Sequence, residues 1–380
     1  MMLLKCLRCL IQGFGVSVLL LISFCNWAGV ANAATTAVKP AKAVLLLHGL
    51  SSNLNTWSKL VDNRAGFDGR CKNIRDPKFL RQKLTRNSEG VYCMRFNFGG
   101  LDRIIAAPKG LDNASCSRAG GCSGDYSTFD TLGEEIESAI NRIRSRLGSD
   151  AQIVLLGHSR GGVAARAFLQ SDSPVKTNVV GLITTGTPHA GTPLGRYYAY
   201  MEKNCLPESN YDSVSDFSDC AQDWRFTNLI VKEGGDINLK VPSINFLSDS
   251  SIAIRTLNAN VNKLSAIKFT QIVYTKLNFG CLGGGLFDSE TSCGFNIFTN
   301  VAGPSDPGLN AVLNGQARGL FIGDGIVPAF SQRMGGLAGW NQPVRTFRYI
   351  KRIHTAEPKR VLDLSRALTN MYKRLGWVRG

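Results

Sequence analysis

Segments of strand length recur along this chain, and segments with helical periodicity separate them. The strand candidates lie at 43–47, 91–98, 153–156, 179–184, 269–275 and 344–349, and those at 43–47 and 153–156 are short, continuous apolar runs. Such runs are typical of strands buried on both faces, as in a parallel sheet. Between runs, the apolar residues from Leu132 to Leu147 follow helical spacing, with Thr131 and Glu134 as a candidate capping box, and a second helical pattern extends to Phe168. The alternation predicts an α/β fold with a doubly wound, mostly parallel sheet.

Two stretches break this alternation, at about 195–265 and 278–322, and each holds two cysteines among many Gly, Ser and Asn residues. They predict disulfide-containing insertions that form a cap over one end of the sheet. With 44% hydrophobic and 19% charged residues, the chain of 380 residues is excluded from the disordered class. We expect one α/β domain at 34–380 that carries both insertions.

The first residues have the pattern of an export signal. Lys5 and Arg8 precede an uncharged stretch that is most apolar at 16–24, and Ala31-Asn32-Ala33 offers small residues for cleavage after Ala33. The pattern predicts a signal peptide at 1–33 and a secreted or periplasmic protein. An uncleaved anchor and a lipoprotein cut before Cys25 are the alternatives.

Cleavage there would remove three of the 11 cysteines and leave an even number. An even count in an exported chain predicts disulfides, and proximity in sequence favours four local pairs. Zinc is disfavoured because no C-x-x-C pair follows residue 33 and the chain has only four His. The favoured pairs are Cys71–Cys93, Cys116–Cys122, Cys205–Cys220 and Cys281–Cys293.

A Gly-x-Ser-x-Gly motif, Gly157-His158-Ser159-Arg160-Gly161, lies between an apolar run and a helical pattern. This is the context of a nucleophile elbow, in which a sharp strand-to-helix turn presents the serine hydroxyl at the carboxyl end of the sheet. Ser159 is therefore the candidate nucleophile. The alternative, a Gly-rich turn that binds phosphate, lacks the second half of a dinucleotide motif.

A serine nucleophile needs a histidine base and a carboxylate that orients it. In this fold the order along the chain is Ser, acid, His, which favours His354 as base and Asp324, between two glycines, as acid. Asp288 and Asp306 are reserve acids, and His189 is interpreted as a packing or hydrogen-bonding loop residue.

An oxyanion hole needs two backbone N–H donors. We predict Arg160, which follows the nucleophile, and Leu50, in the loop after the first strand, while His48 fixes that loop. The Arg160 side chain has two candidate roles: steering of an anionic substrate, or a solvated or salt-bridged contact.

Four motifs carry a family resemblance: His48-Gly49-Leu50, the elbow, and the segments 185–193 (TGTPHAGTP) and 323–328 (GDGIVP). Together they resemble the secreted bacterial triacylglycerol lipases of the α/β-hydrolase superfamily, and they are similar to GPI-inositol-deacylase-like esterases. The resemblance covers about 43–190 and 323–355. It implies a carboxylic ester hydrolase with Ser159 as nucleophile, Asp324 as acid and His354 as base.

The chain departs from these lipases in two ways. Arg160 stands where they usually carry Met or another apolar residue, and the two insertions align with no known lid. Some of these lipases hold a structural calcium ion. Asp212, Asp216 and Asp219 form a candidate for it, although an acidic surface loop is the favoured interpretation; no other metal or cofactor is predicted.

The favoured function is hydrolysis of lipid or acylglycerol esters through an acyl-enzyme. An acyltransferase on the same scaffold and a non-catalytic binding protein of this fold are the alternatives. The apolar stretch 279–301 is either a lid with an acyl groove or a disulfide-tied loop on the core.

The net charge of +16 concentrates between Arg345 and Arg379. No nucleic-acid recognition element accompanies it. The charge favours either peripheral contact with an anionic membrane or envelope surface, or a plain solvated basic face.

Overall fold

The structure, a computed structural model, describes residues 39–99, 116–117, 121–193, 241–264, 267–275, 323–324, 326–350 and 354–379. Within these residues, seven strands form one parallel sheet: β1 (Lys42–Leu47), β2 (Lys72–Asn73), β3 (Tyr92–Arg95), β6 (Gln152–His158), β7 (Val179–Thr185), β8 (Lys268–Tyr274) and β9 (Val344–Tyr349). Their order in the sheet is β2-β3-β1-β6-β7-β8-β9, which confirms the predicted α/β fold class. A separate antiparallel pair consists of β4 (Cys116–Ser117) and β5 (Gly121–Cys122).

The central strands are buried on both faces. In β1, Leu45 and Leu47 belong to one core cluster, whereas Val44 and Leu46 belong to the other. Successive side chains of a strand point to opposite faces, so two apolar faces require a continuous apolar run. This is why the apolar runs located the strands.

Helices cover both faces of the sheet. α2 (Phe129–Leu147) and α3 (Arg160–Gln170) contribute to the first cluster, while α1 (Ser58–Asp62) and α6 (Val361–Arg374) contribute to the second. The predicted capping box is wrong. Thr128 caps α2 by accepting from the backbone N–H of Thr131, and the helix begins earlier because Phe129 is part of the core.

Residues 241–264 differ from the predicted insertion of 195–265. They form α4 (Pro242–Phe246), α5 (Ile252–Ala259) and a 3-10 helix at Val261–Leu264. Ile254, Leu257, Val261 and Leu264 are buried in the same cluster as α3, so this part joins the helical layer between β7 and β8. Residues 194–240 and the stretch 278–322 lie outside the described residues.

Further 3-10 helices lie in the connections of the described residues. Their bounds are Leu54–Trp57, Ser123–Tyr126, Pro174–Asn178, Met334–Gly336 and His354–Lys359.

One predicted disulfide is confirmed: Cys71 and Cys93 are joined, which ties the segment before β2 to β3. Cys116 and Cys122 are register partners in the β4–β5 pair, and their predicted bond stays a prediction. The cysteines at 205, 220, 281 and 293 lie outside the described residues, as does the predicted signal peptide at 1–33. Within the described ranges, every helix is too short or too polar to cross a membrane.

Candidate active site

Ser159 occupies the sharp turn between β6 and α3, with φ 53° and ψ −128°. A positive φ is strained for a residue with a Cβ, and such strain concentrates at functional turns. The glycines of the motif make this turn sterically feasible. A Cβ on Gly157 would lie 2.6 Å from the Cα of Gly162, and one on Gly161 would lie 2.5 Å from the carbonyl oxygen of Leu47. The motif therefore allows α3 to approach both β6 and β1.

The structure brings Ser159, His354 and Asp324 together, although they are far apart in sequence. His354 Nε2 lies 2.8 Å from Ser159 Oγ, and His354 Nδ1 lies 2.9 Å from Asp324 Oδ2. The His354 backbone N–H also donates to the Asp324 carbonyl oxygen, at 3.0 Å. With a carboxylate accepting from Nδ1–H, Nε2 carries the lone pair and accepts from the serine hydroxyl. This is the arrangement that allows His354 to take the Ser159 proton.

The Asp324 carboxylate is buried and accepts four N–H groups. Oδ1 accepts from the backbones of Ile326, at 3.0 Å, and Val327, at 2.7 Å. Oδ2 accepts from His354 and from Gln332 Nε2, at 3.1 Å. Donors to both oxygens fix the orientation of the carboxylate. The reserve acids, Asp288 and Asp306, lie outside the described residues.

Gln332 links the acid loop to the sheet. Its Oε1 accepts from the Tyr274 backbone N–H at the end of β8, at 2.8 Å, while its Nε2 reaches Asp324 and the Val327 carbonyl oxygen. Sequence reasoning missed this residue because a glutamine eight positions beyond an aspartate carries no motif.

The loop after β1 lies against Ser159. A Cβ on Gly49 would be 2.9 Å from the Cβ of Ser159, which places the neighbouring Leu50 beside it. His48 anchors this loop: Nδ1 donates to the Gly49 carbonyl oxygen, at 2.9 Å, and Nε2 accepts from the Phe98 N–H, at 3.0 Å. Burial lowers the pKa of His48 to about 4, so the imidazole is neutral at pH 7.

The Arg160 side chain is fully buried and faces away from solvent. Its Nη2 lies 3.7 Å from the carboxylate of Asp125 and donates to the Gly124 carbonyl oxygen, at 2.7 Å, while Nη1 donates to Ser243 Oγ. Burial lowers the pKa of Arg160, and the carboxylates of Asp125 and Glu135 oppose that shift. Of the two roles considered for this side chain, the structure shows the ion pair.

Two further buried polar residues, His158 and Glu357, lie next to His354. His158 Nε2 donates to the His354 carbonyl oxygen, at 3.0 Å, and the two rings pack with centroids 4.7 Å apart. Glu357 accepts from Thr185 Oγ1, at 3.1 Å, and lies 3.7 Å from His158 Nε2.

Burial favours the neutral forms of both Glu357 and His158, which opposes an ion pair between them. Burial raises the pKa of Glu357 well above its usual value, and the nearby Asp324 carboxylate raises it further. Burial lowers the pKa of His158 well below its usual value. Both residues have ligand atoms close to His354, within 4.8 Å, but both ring nitrogens of His354 already contact Asp324 and Ser159. We therefore interpret the cluster as hydrogen-bonding support for His354.

His189 lies in the loop after β7 and is buried. Its Nε2 is 3.2 Å from Thr184 Oγ1, its ring packs on Phe269, and its backbone N–H donates to the Ser331 carbonyl oxygen. These contacts are those of a packing and hydrogen-bonding loop residue. The candidate calcium ligands Asp212, Asp216 and Asp219 lie outside the described residues.

Comparison with known proteins supports the resemblance read from the motifs. Residues 127–236 match the model of a family described as PGAP1-like alpha/beta domain, a range that includes β6, Ser159, α3 and β7. No curated protein sequence matches the chain.

Among solved structures, the chain is similar to the lipase BlEst2 of Bacillus licheniformis in its mature form, with 14% identity over 89% of this chain and 93% of that chain and a TM-score of 0.47. It is also similar to the phospholipase PlaB from Legionella pneumophila, with 14% identity over 88% of this chain and 62% of that chain and a TM-score of 0.46. The family model thus agrees, over part of the chain, with the resemblance to GPI-inositol-deacylase-like proteins that the motifs indicated.

Proposed function

We propose that this protein is a serine carboxylic ester hydrolase, a lipase or esterase, that acts through Ser159, His354 and Asp324. The observation that carries the proposal is the continuous hydrogen-bond chain from Ser159 Oγ through His354 to Asp324, at 2.8 and 2.9 Å, at a strained strand-to-helix turn. A serine with an ordinary structural role needs neither the strain nor a buried base with its own buried carboxylate.

The reaction proceeds in two steps. His354 Nε2 accepts the Ser159 proton as Oγ attacks the ester carbonyl carbon, and the negative charge on the carbonyl oxygen lies against the N–H groups of Leu50 and Arg160. The tetrahedral intermediate collapses, His354 gives its proton to the leaving alcohol, and the acyl group stays on Ser159. Water then attacks the acyl-enzyme by the same route and releases the acid. Asp324 stabilises the imidazolium throughout.

The substrate class proposed is a lipid or acylglycerol ester. Its support is the motif resemblance and the apolar stretch at 279–301, which lies outside the described residues. Export after cleavage near Ala33 and contact with an anionic membrane surface belong to the same proposal. Arg345 and Arg348, which are exposed on β9, would contribute to such a contact.

Labelling by a fluorophosphonate, with p-nitrophenyl ester hydrolysis measured in parallel, tests the proposal. We expect the wild-type protein to label and to hydrolyse esters, and the folded Ser159→Ala variant to do neither. Failure of the folded wild type to label would favour a binding protein. Faster transfer to an added alcohol than to water would favour an acyltransferase. In an acyl-chain series, a preference for short chains would argue against a lipid substrate.

A further inference from the structure

Asp125 lies beside the candidate oxyanion hole, at the end of the 3-10 helix Ser123–Tyr126. Its buried carboxylate accepts twice from the Ser51 backbone N–H, at 3.0 and 3.1 Å, and once from Ser51 Oγ, at 3.0 Å. Ser51 directly follows Leu50. The carboxylate therefore anchors the loop that carries one of the two proposed donors.

The anchored residue has an unfavourable backbone conformation. Ser51 has φ 47°, in the left-handed region that residues with a Cβ avoid. Two hydrogen-bonding groups of Ser51 reach the same carboxylate, and these bonds oppose the conformational strain. The turn after Leu50 thus depends on Asp125.

The same carboxylate pairs with the residue that carries the second donor. Arg160 begins α3, so its backbone N–H faces the oxyanion position while its guanidinium extends back to Asp125, 3.7 Å away. The Gly124 carbonyl oxygen and Ser243 Oγ accept from the same guanidinium, and Ser243 Oγ donates to the Asp125 carbonyl oxygen, at 2.6 Å. These acceptors fix the position of the Arg160 guanidinium, because a buried charge without a partner is costly.

We propose that Asp125 is a positioning residue for the oxyanion hole, and that its contacts with Ser51 and Arg160 fix the spacing between the Leu50 and Arg160 N–H donors. The inference rests on the proposed function, because it concerns the same site. It also gives a reason for an arginine where the lipases that the chain resembles usually carry an apolar residue: the charge couples the nucleophile helix to the loop after β1. Oxyanion donors stabilise the transition state only when both meet the developing charge at hydrogen-bond distance.

Two substitutions loosen the anchor without removing either donor. Asp125→Asn removes the charge that faces Arg160. Ser51→Gly removes the hydroxyl contact, and it is compatible with folding because glycine adopts a positive φ without strain. Asp130→Asn is the matched control, since Asp130 is an exposed acid in the first turn of α2.

The readouts are kcat and KM for a p-nitrophenyl ester, the inhibition constant of an alkylboronic acid that forms a tetrahedral adduct with the serine, and Tm. For Asp125→Asn we expect kcat to fall about 10- to 100-fold with KM nearly unchanged, since a misplaced donor loses part of the roughly 100- to 1,000-fold that one donor supplies. Inhibition by the boronic acid should weaken in parallel. Ser51→Gly should change in the same direction by a smaller factor, and Asp130→Asn should match the wild type.

Folded variants with wild-type kcat and wild-type inhibition would overturn the inference, even if their Tm falls, because a structural role alone would lower only Tm. A raised KM with unchanged kcat would overturn it as well. If Asp125→Asn does not fold, Ser51→Gly decides the question. A wild-type protein that shows no esterase activity would refute the proposed function itself, whereas an active wild type with unaffected variants refutes only the role of Asp125.

Discussion

His48 should make the stability of this protein depend on pH. Its Nε2 accepts a hydrogen bond from the Phe98 N–H, so a proton on Nε2 would eliminate that bond and leave a charge in a buried site. Burial is the largest cause of the lowered pKa, from 6.5 to about 4. The folded state therefore binds fewer protons than the unfolded state across this interval. The stabilisation is fully present above pH 6.5 and is lost as the pH falls toward 4.

The size of the effect follows from the two pKa values, 6.5 and about 4. By linkage, the contribution of His48 to the free energy of unfolding should decrease by about 2 kcal/mol from pH 7 to pH 5, and by about 3 kcal/mol from pH 7 to pH 4. His48→Gln removes the titration, while the glutamine amide keeps a donor and an acceptor.

Urea unfolding of the wild type and of His48→Gln, followed by tryptophan fluorescence at pH 7, 6, 5 and 4, tests this reasoning. The difference in unfolding free energy between the two proteins cancels the carboxylates that they share. We expect the variant to be the less stable protein at pH 7 and to lose less stability on acidification. A difference that stays constant from pH 7 to pH 4 would show that the folded state does not exclude the proton from His48.

Three further predictions concern the triad, the elbow and the disulfide. Asp324→Asn should lower kcat about 10,000-fold, since an amide cannot hold His354 in the required tautomer. Glu357→Gln should stay active, because the amide oxygen can still accept from Thr185 Oγ1. Steady-state kinetics that show equal losses for the two variants would contradict this assignment. Gly161→Ala should destabilise the protein by about 1–3 kcal/mol through overpacking, because the alanine Cβ would lie 2.5 Å from two carbonyl oxygens. Gly335→Ala is the control: the alanine Cβ would have open space around it, so this variant should match the wild type in thermal unfolding. Replacing both Cys71 and Cys93 by Ser should lower the free energy of unfolding by about 3 kcal/mol, because the unfolded chain gains the entropy of an open loop with a sequence separation of 22. A loss below about 1 kcal/mol in urea unfolding would mean that the disulfide contributes little to stability.

Much of the fold could be predicted from sequence because the central strands are buried on both faces. The central strands β1 and β6 required continuous apolar runs, and six of the seven strands of the described sheet were predicted. β2 was missed because it has two residues, Lys72 and Asn73, which are neither apolar nor periodic. The helices at 242–264 were missed because they lie in a stretch whose Gly, Ser and Asn content suggested an insertion over one end of the sheet.

For the site, the sequence by itself determined the candidates. Only His189 and His354 follow Ser159, the elbow glycines are a local steric requirement, and the order Ser, acid, His then selects Asp324. Local patterns carry this information because a turn and its neighbouring strand and helix are encoded within a few residues.

The tertiary structure alone decided what surrounds those candidates. Gln332 holds Asp324, His158 and Glu357 lie behind His354, and Asp125 pairs with Arg160. These contacts join residues 8 to 199 positions apart. Their chemistry depends on burial, which raises the pKa of Glu357, lowers the pKa of His158 and encloses Arg160. Desolvation and long-range pairing arise only when the chain is folded, so no local sequence pattern predicts them.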